Sequence, residues 1–289
     1  MQKQQYYTDL SDGEWTIVEP YLPPICHRGR PLTHSRRAIV NAIFYIIRSG
    51  CAWRLLPRDL PPWKTVYHYW RKWRRDGTWE QLHTALREQV RLRAGRKAQA
   101  SAGIIDSQSV KTTSVGGVRG YDGAKKVSGR KRHLLVDTQG LVLQAIVHTA
   151  DLQDRAAVPL LLEGAAAKFP RLEHVWVDQG YTGAGKQWIT DQLGWSVTVV
   201  KHPPVAHHKW TLIGDVNDLS TLRFEWLKVP RTQRHFRGVL PRRWVVERTF
   251  AWLGQNRRLS KEYERLCETS EALIYAGMSR LMVRRLARA

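Results

Sequence analysis

Arg242-Arg243-Trp244-Val245-Val246-Glu247-Arg248-Thr249-Phe250-Ala251-Trp252-Leu253 is the stretch around which the chain is organised. It follows Pro241, a residue that suits the first turn of a helix and not its middle. Val246, Phe250 and Leu253 recur at i, i+4 and i+7, so one stripe of this helix faces a core. Glu247 lies at the edge of the stripe, with Arg243 one turn earlier on the same face. A carboxylate at the rim of a core is a costly placement unless it is paired or put to use. Pairing with Arg243 on an ordinary surface helix would account for this helix taken alone. Two further carboxylates upstream, each closing an apolar run, point to use.

Those runs are Ala102-Gly103-Ile104-Ile105-Asp106 and His174-Val175-Trp176-Val177-Asp178. Both read as short strands that end in Asp, and ligands gather at strand carboxyl ends in open sheets. If the two strands are neighbours, their carboxylates share one edge, and like charges there need a cation. Hard oxygen donors suit Mg²⁺ or Mn²⁺. With Glu247 as a third acid the set could hold two ions about 4 Å apart, an arrangement suited to phosphodiester chemistry. Asp137 also closes an apolar run, but Thr138-Gln139-Gly140 follows it and then another strand, so it reads as a turn residue. Asp122, Asp151 and Asp154 are read as loop or cap residues.

The chain has 289 residues and a formal net charge of +22. The charge is uneven: residues 1–100 carry 18 basic against 8 acidic side chains, residues 101–200 carry 11 against 9, and residues 201–289 carry 18 against 8. Two basic flanks around a nearly neutral middle attract polyanions, nucleic acid first. An anionic membrane surface ranks below, because no isolated basic amphipathic anchor is present. Cys26, Cys51 and Cys267 are too few for a disulfide framework or zinc ribbon. No apolar run reaches transmembrane length, so a cytoplasmic, nucleoid-associated protein is expected.

Along the chain, residues 8–22, 35–49, 63–75 and 78–93 read as helices, with Ser11 or Asp12 capping the first and Gly50 closing the second. In the third, Trp63, Val66, Tyr67, Trp70 and Trp73 form an apolar face. Lys64, His68, Arg71, Lys72 and Arg75 lie mainly on the other side. This suits a helix-turn-helix unit facing DNA, and equally a solvated basic face. Residues 95–101 form a polar linker, giving expected domains 1–97 and 98–289. Residues 107–129 read as a loop, 131–136 and 141–148 as a hairpin, 153–168 and 184–193 as helices, and 196–200 as a strand. Residues 202–240 are least readable, with one alternating run (Leu222, Phe224, Trp226) and the basic residues Arg231, Arg234 and Arg237. Residues 271–288 form a last helix whose arginines suit its carboxyl end. The second part therefore reads as a mixed α/β layer fold.

The chain resembles bacterial insertion-sequence transposases with an Asp-Asp-Glu triad, of the insertion-sequence-five family. The likeness rests on Tyr7-Thr8-Asp9-Leu10, Trp53-Arg54-Leu55-Leu56-Pro57, Ile105-Asp106-Ser107-Gln108-Ser109-Val110-Lys111, Gly129-Arg130-Lys131-Arg132-His133, Val177-Asp178-Gln179-Gly180-Tyr181 and Trp244-Val245-Val246-Glu247-Arg248-Thr249, in that order. It implies a ribonuclease-H-like mixed-sheet catalytic core behind an all-helical amino-terminal DNA-binding domain. It also implies that Asp106, Asp178 and Glu247 are the catalytic, metal-binding triad, and that the partner is double-stranded DNA bound by a homodimer. The family signature around the acid is Tyr, two residues, Arg, three residues, Glu, six residues, Lys. Arg243 and Glu247 fit it, whereas Leu240 and Gly254 stand at the Tyr and Lys positions, leaving Arg257 or Arg258 to supply the cation. Lys111, Lys125, Lys126, Arg130, Lys131, Arg132, Arg243 and Arg248 are the expected DNA contacts near the site. A silent DNA-binding repressor and a host nuclease with the same core are the competing readings.

Overall fold

The computed structural model describes residues 6–24, 32–200, 208–215, 218–228 and 242–288. Four helices open the chain: α1 (Asp12–Val18), α2 (Arg36–Ser49), α3 (Trp63–Arg75) and α4 (Thr78–Arg93). Their ends follow local chemistry. Ser11 and Glu14 form a reciprocal capping box on α1, Ser35 caps α2, and Gly50 closes α2 in the left-handed conformation that a Cβ disfavours. Gly77 turns α3 into α4 in the same conformation.

Six strands then form one mixed sheet: β1 (Ala102–Lys111), β2 (Gly120–Asp122), β3 (Val127–Asp137), β4 (Val142–Thr149), β5 (His174–Val177) and β6 (Ser196–Val199). β3 lies antiparallel between β1 and β4, with β2 on its outer edge. β1 runs parallel to β5, and β5 parallel to β6. Between them run α5 (Asp154–Leu162), α6 (Ala165–Lys168) and α7 (Ala184–Leu193). An antiparallel ribbon follows, β7 (His208–Ile213) with β8 (Arg223–Lys228). α8 (Arg243–Gly254) and α9 (Cys267–Ala287) complete the fold.

Side chains alternate across each strand, so the sheet divides two cores. On one face Ile105, Leu135, Val175 and Tyr181 pack with α5 and α7. On the other, Ile104, Leu134 and Val136 join a core running through α8, α9 and the amino-terminal helices. α9 is its axis: Leu273, Ile274, Met278, Met282 and Val283 are fully or almost fully buried. The expected ribonuclease-H-like mixed sheet with a helical amino-terminal region is present. No described helix is long and apolar enough to cross a membrane.

Two readings of the sequence change, and one that singled out Asp137 holds. Residues 107–129 are not one loop: β1 continues to Lys111, and β2 and the start of β3 pair with it or with each other. Polar strand residues disguise them because their partners are polar too. Ser109 donates to Asp122 at 2.5 Å, and Ser107 to Asp154 at 3.0 Å. Residues 153–168 are two helices, broken where Gly164 turns left-handed. Asp137 is the turn residue expected, accepting the amides of Gln139 and Leu141 at 2.9 Å each, and it also pairs with the buried Arg91. Pro241, Leu240, Arg231, Arg234 and Arg237 lie outside the described residues.

Candidate active site

Asp106 sits inside β1, not at its end, two residues beyond the last parallel pairing of β1 with β5 at Ile104 and Trp176. Asp178 immediately follows β5. The parallel pairing therefore sets both carboxylates on one rim of the sheet. Asp106 lies on the same strand face as Ile104, toward α8. Glu247 is on that helix, between the buried Val246 and the exposed turn, and its side chain is 57% exposed. The apolar stripe of Val246, Phe250 and Leu253 is buried as its spacing requires.

One side chain gathers the three acids. Arg243 Nη2 lies 3.4 Å from Asp106 Oδ2, 3.8 Å from Asp178 Oδ2 and 3.9 Å from Glu247 Oε1. Asp106 is the most buried of the three, and burial pushes its carboxyl up to about 6. Arg243 and the Ser107 amide, which donates to Asp106 at 2.7 Å, act in the opposite direction. Asp178 accepts the Gly180 amide at 2.8 Å. Gly180 has little room for a side chain, since a Cβ there would sit 3.0 Å from both Asp154 Oδ2 and Asp178 Oδ1.

A buried polar layer supports this rim from the other face of β1, and the sequence reading missed it. Tyr181 and His133 are joined at 2.8 Å through the phenol oxygen and Nδ1. Burial holds His133 well below the usual imidazole range and Tyr181 well above the usual phenol range, so both are neutral. Lys131 reaches Asp154 at 3.0 Å. The signal was present in the quoted motifs, which end in His133 and Tyr181, but nothing local says that the two meet.

The expected DNA contacts divide. Lys64, His68, Arg71, Lys72 and Arg75 are all exposed on α3, while Val66, Trp70 and Trp73 are buried. Lys111, Lys125, Lys126 and Arg257 are exposed as well. Lys125 also donates to the Ser107 carbonyl at 3.1 Å, beside the site. Arg130, Lys131, Arg132 and Arg258 are a correction: they are buried and held by internal hydrogen bonds and ion pairs. Arg130 and Arg132 pair with the buried Glu262, and Arg130 donates to the carbonyls of Glu264 and Arg265 at 2.8 and 2.7 Å. Arg258 donates to Glu264 Oε1 at 2.7 Å and the Cys51 carbonyl at 3.2 Å. Arg130 and Arg132 fasten the α8–α9 connection to the sheet, Lys131 is engaged by the Leu152 carbonyl and Asp154, and Arg258 is paired within the connection and to the end of α2, so none of the four is an exposed cation like those on α3.

An all-carboxylate donor set suits Mg²⁺ or Mn²⁺. As they stand, the acids surround a guanidinium: among the described residues no three acidic, His or Cys side chains are close enough together to hold a metal ion.

The sequence matches the family described as "Putative transposase of IS4/5 family" over residues 10–83 and the family described as "Transposase DDE domain" over residues 97–282. It is 32% identical over 114 residues to the "Insertion element IS402 uncharacterized 16.2 kDa protein" of Burkholderia cepacia, covering 37% of this chain and 76% of that protein. It is 27% identical over 158 residues to the "Putative transposase for insertion sequence element IS402" of the same organism, covering 52% of this chain and 60% of that protein. No solved structure matches it. With the DDE-domain match spanning more than half of its length, the chain belongs to the insertion-sequence transposases with a DDE catalytic domain.

Proposed function

We propose that the chain binds the terminal inverted repeats of its element, cleaves the DNA to a 3′-OH and joins that end to target DNA. The observation that carries this reading is the convergence of Asp106, Asp178 and Glu247, from three separate elements, within 4 Å of one guanidinium nitrogen. In the first step a water oxygen forms the new bond to phosphorus, its proton is lost, and the 3′-oxygen leaves and is protonated. In the second, that 3′-OH attacks a target phosphodiester, and the target's own 3′-oxygen leaves. Both are in-line displacements and use one site.

Two Mg²⁺ or Mn²⁺ ions held by Asp106, Asp178 and Glu247 would supply charge stabilisation for the attacking and leaving oxygens. The raised proton affinity of Asp106 supports such occupancy, because it marks a desolvated carboxylate whose charge is incompletely compensated. Arg243 holds the acids together and would turn toward a phosphate oxygen when DNA enters. Residues 1–97 would read the repeat through α3, whose Lys64, His68, Arg71, Lys72 and Arg75 face away from the core. Lys111, Lys125, Lys126, Arg248 and Arg257 would hold backbone near the cut. Two ends must be joined together, so a homodimer on DNA is inferred. We infer from this action on DNA that the protein works in the cytoplasm, at the nucleoid.

The test is cleavage and strand transfer in Mg²⁺ on DNA carrying the element's own flanking repeats, comparing wild type with Glu247→Gln. Wild type should nick at the repeat and join the 3′ end. The variant should bind equally and cut at least about 10²-fold more slowly, since charge stabilisation of this kind is worth several kcal/mol. If both bind and neither cuts, the silent repressor is the better description.

A further inference from the structure

Away from the triad, at the far end of α8, five arginines meet. Arg48 on α2 and Arg280, Arg284, Arg285 and Arg288 in the last turns and carboxyl end of α9 line a cavity of about 300 Å³, together with Trp252 and the exposed Tyr7. No carboxylate lines it among the described residues. Arg284 has one long ion pair, with Glu14 Oε1 at 3.9 Å, whose other oxygen accepts the Ser11 amide in the α1 capping box. Cations favour a helix carboxyl end, which accounts for the last turn. That effect fades within one turn. It does not account for Arg280, which is 8% exposed, or for Arg48, which comes from another helix. Burial and the neighbouring Arg284 and Arg48 bring Arg280 down to about 10, against a smaller opposing effect of Tyr7 and Glu14.

The side chains are held ready by neutral groups. Arg48 donates to the Gln255 carbonyl, Arg280 to the Tyr7 carbonyl at 3.3 Å and Arg284 to the Tyr7 hydroxyl at 2.8 Å. Each guanidinium has five donors, so most remain available. Arg284 also lies over the Tyr7 ring, 4.6 Å from its centroid.

A ladder joins this cavity to the active site. Arg248 lies 4.5 Å from the Trp244 ring and 4.7 Å from the Trp252 ring, and Arg285 covers the same Trp252 ring at 4.4 Å. Positions 244, 248 and 252 form one edge of α8, one residue along from Arg243 and Glu247. That edge is ~12 Å long at 1.5 Å per residue. It spans about three to four nucleotides at 3.4 Å per step.

The geometry points to a phosphate-binding site for the DNA backbone, built by Arg48, Arg280, Arg284, Arg285 and Arg288, that grips the strand three or four nucleotides from the cut. It rests on the reading of the protein as a DNA-cleaving transposase and adds the place where the flanking duplex is held. It also supplies a cation at the end of α8 by a route other than the signature lysine position, where Gly254 stands.

The test uses the full chain carrying Glu247→Gln, so that DNA is bound and not consumed. Binding of the repeat duplex is measured against salt for this protein and for one also carrying Arg284→Gln, Arg285→Gln and Arg288→Gln, which spares the more buried Arg280. Phosphate-ethylation interference is mapped on both. The added changes should lower affinity about tenfold and reduce the slope of log K against log salt by about 1 for each phosphate lost. Ethylation three or four nucleotides from the cut should interfere with the parent and not with the arginine variant. An unchanged slope and unchanged interference pattern overturn the site and leave the transposase reading intact. Because interference on the parent needs no variant, absence of any sensitive phosphate at that distance also overturns it. Competition by inorganic phosphate at constant ionic strength that the arginine changes abolish, with DNA binding unaltered, assigns the pocket to a free anion and overturns the DNA site. If the parent binds no DNA at all, the transposase reading itself fails.

Discussion

At the scale of single residues, the acids were legible and many of the cations were not. Asp106 and Asp178 announce themselves because an apolar run that stops at a carboxylate is uncommon in a sheet with both faces covered. Arg130 and Arg132 look in the sequence like any basic surface run. Their partner Glu262 is 132 and 130 residues away, and no local pattern reveals it. The pair can be tested directly. Glu262→Ala would leave two buried guanidiniums without their carboxylate and strand the Ser270 hydroxyl, costing about 3–5 kcal/mol in a denaturant titration. Asp106 carries a second expectation. Its folded-state affinity for protons is raised, to about 6, so its contribution to stability is present at low pH and is lost as pH rises through that value. In chelator-treated protein, Asp106→Asn should therefore melt higher than wild type at pH 7.5, by roughly 3 kcal/mol at most, with the gap closing toward pH 4. A gap that is constant across pH would show that burial of this carboxylate is not what the substitution relieves.

At the scale of elements, capped helices were readable and polar strands were not. Ser11, Ser35 and Gly50 mark helix ends by chemistry confined to a few residues. The second half of β1 has no such marker, because its side chains are a mix of a buried Ser107 and Val110, half-buried Gln108 and Ser109 and an exposed Lys111, with Ser107 and Ser109 bonded to other polar groups. α9 was visible as a helix, but its importance was not. It lies between the sheet and the amino-terminal helices, and Ile274 is fully buried at its middle. Ile274→Ala should cost about 2–5 kcal/mol. Helical signal and sheet-core fluorescence should lose stability together, in one transition. Two separated transitions would show that the helical region and the sheet are held independently of α9.

At the scale of the whole molecule, the charge profile carried the functional class and the core carried what it could not. The net charge of +22 predicts that association with DNA is dominated by counterion release. If six to ten phosphates are contacted, affinity should fall by about 10³–10⁵ between 50 and 200 mM salt, measured with the cleavage-deficient protein. A flat response would remove the electrostatic argument for both basic flanks. Composition could not show that one continuous core runs from Leu10 to Val283. That continuity has a consequence for synthesis on the ribosome. A nascent chain that has reached residue 260 contains α1 to α4 and all three acids, yet lacks the helix on which the amino-terminal apolar faces close. Those faces must stay exposed or be shielded by chaperones until α9 emerges. Folded protein is then delayed beyond translation of Asp106, Asp178 and Glu247, and a stop codon between α8 and α9 should yield an insoluble fragment.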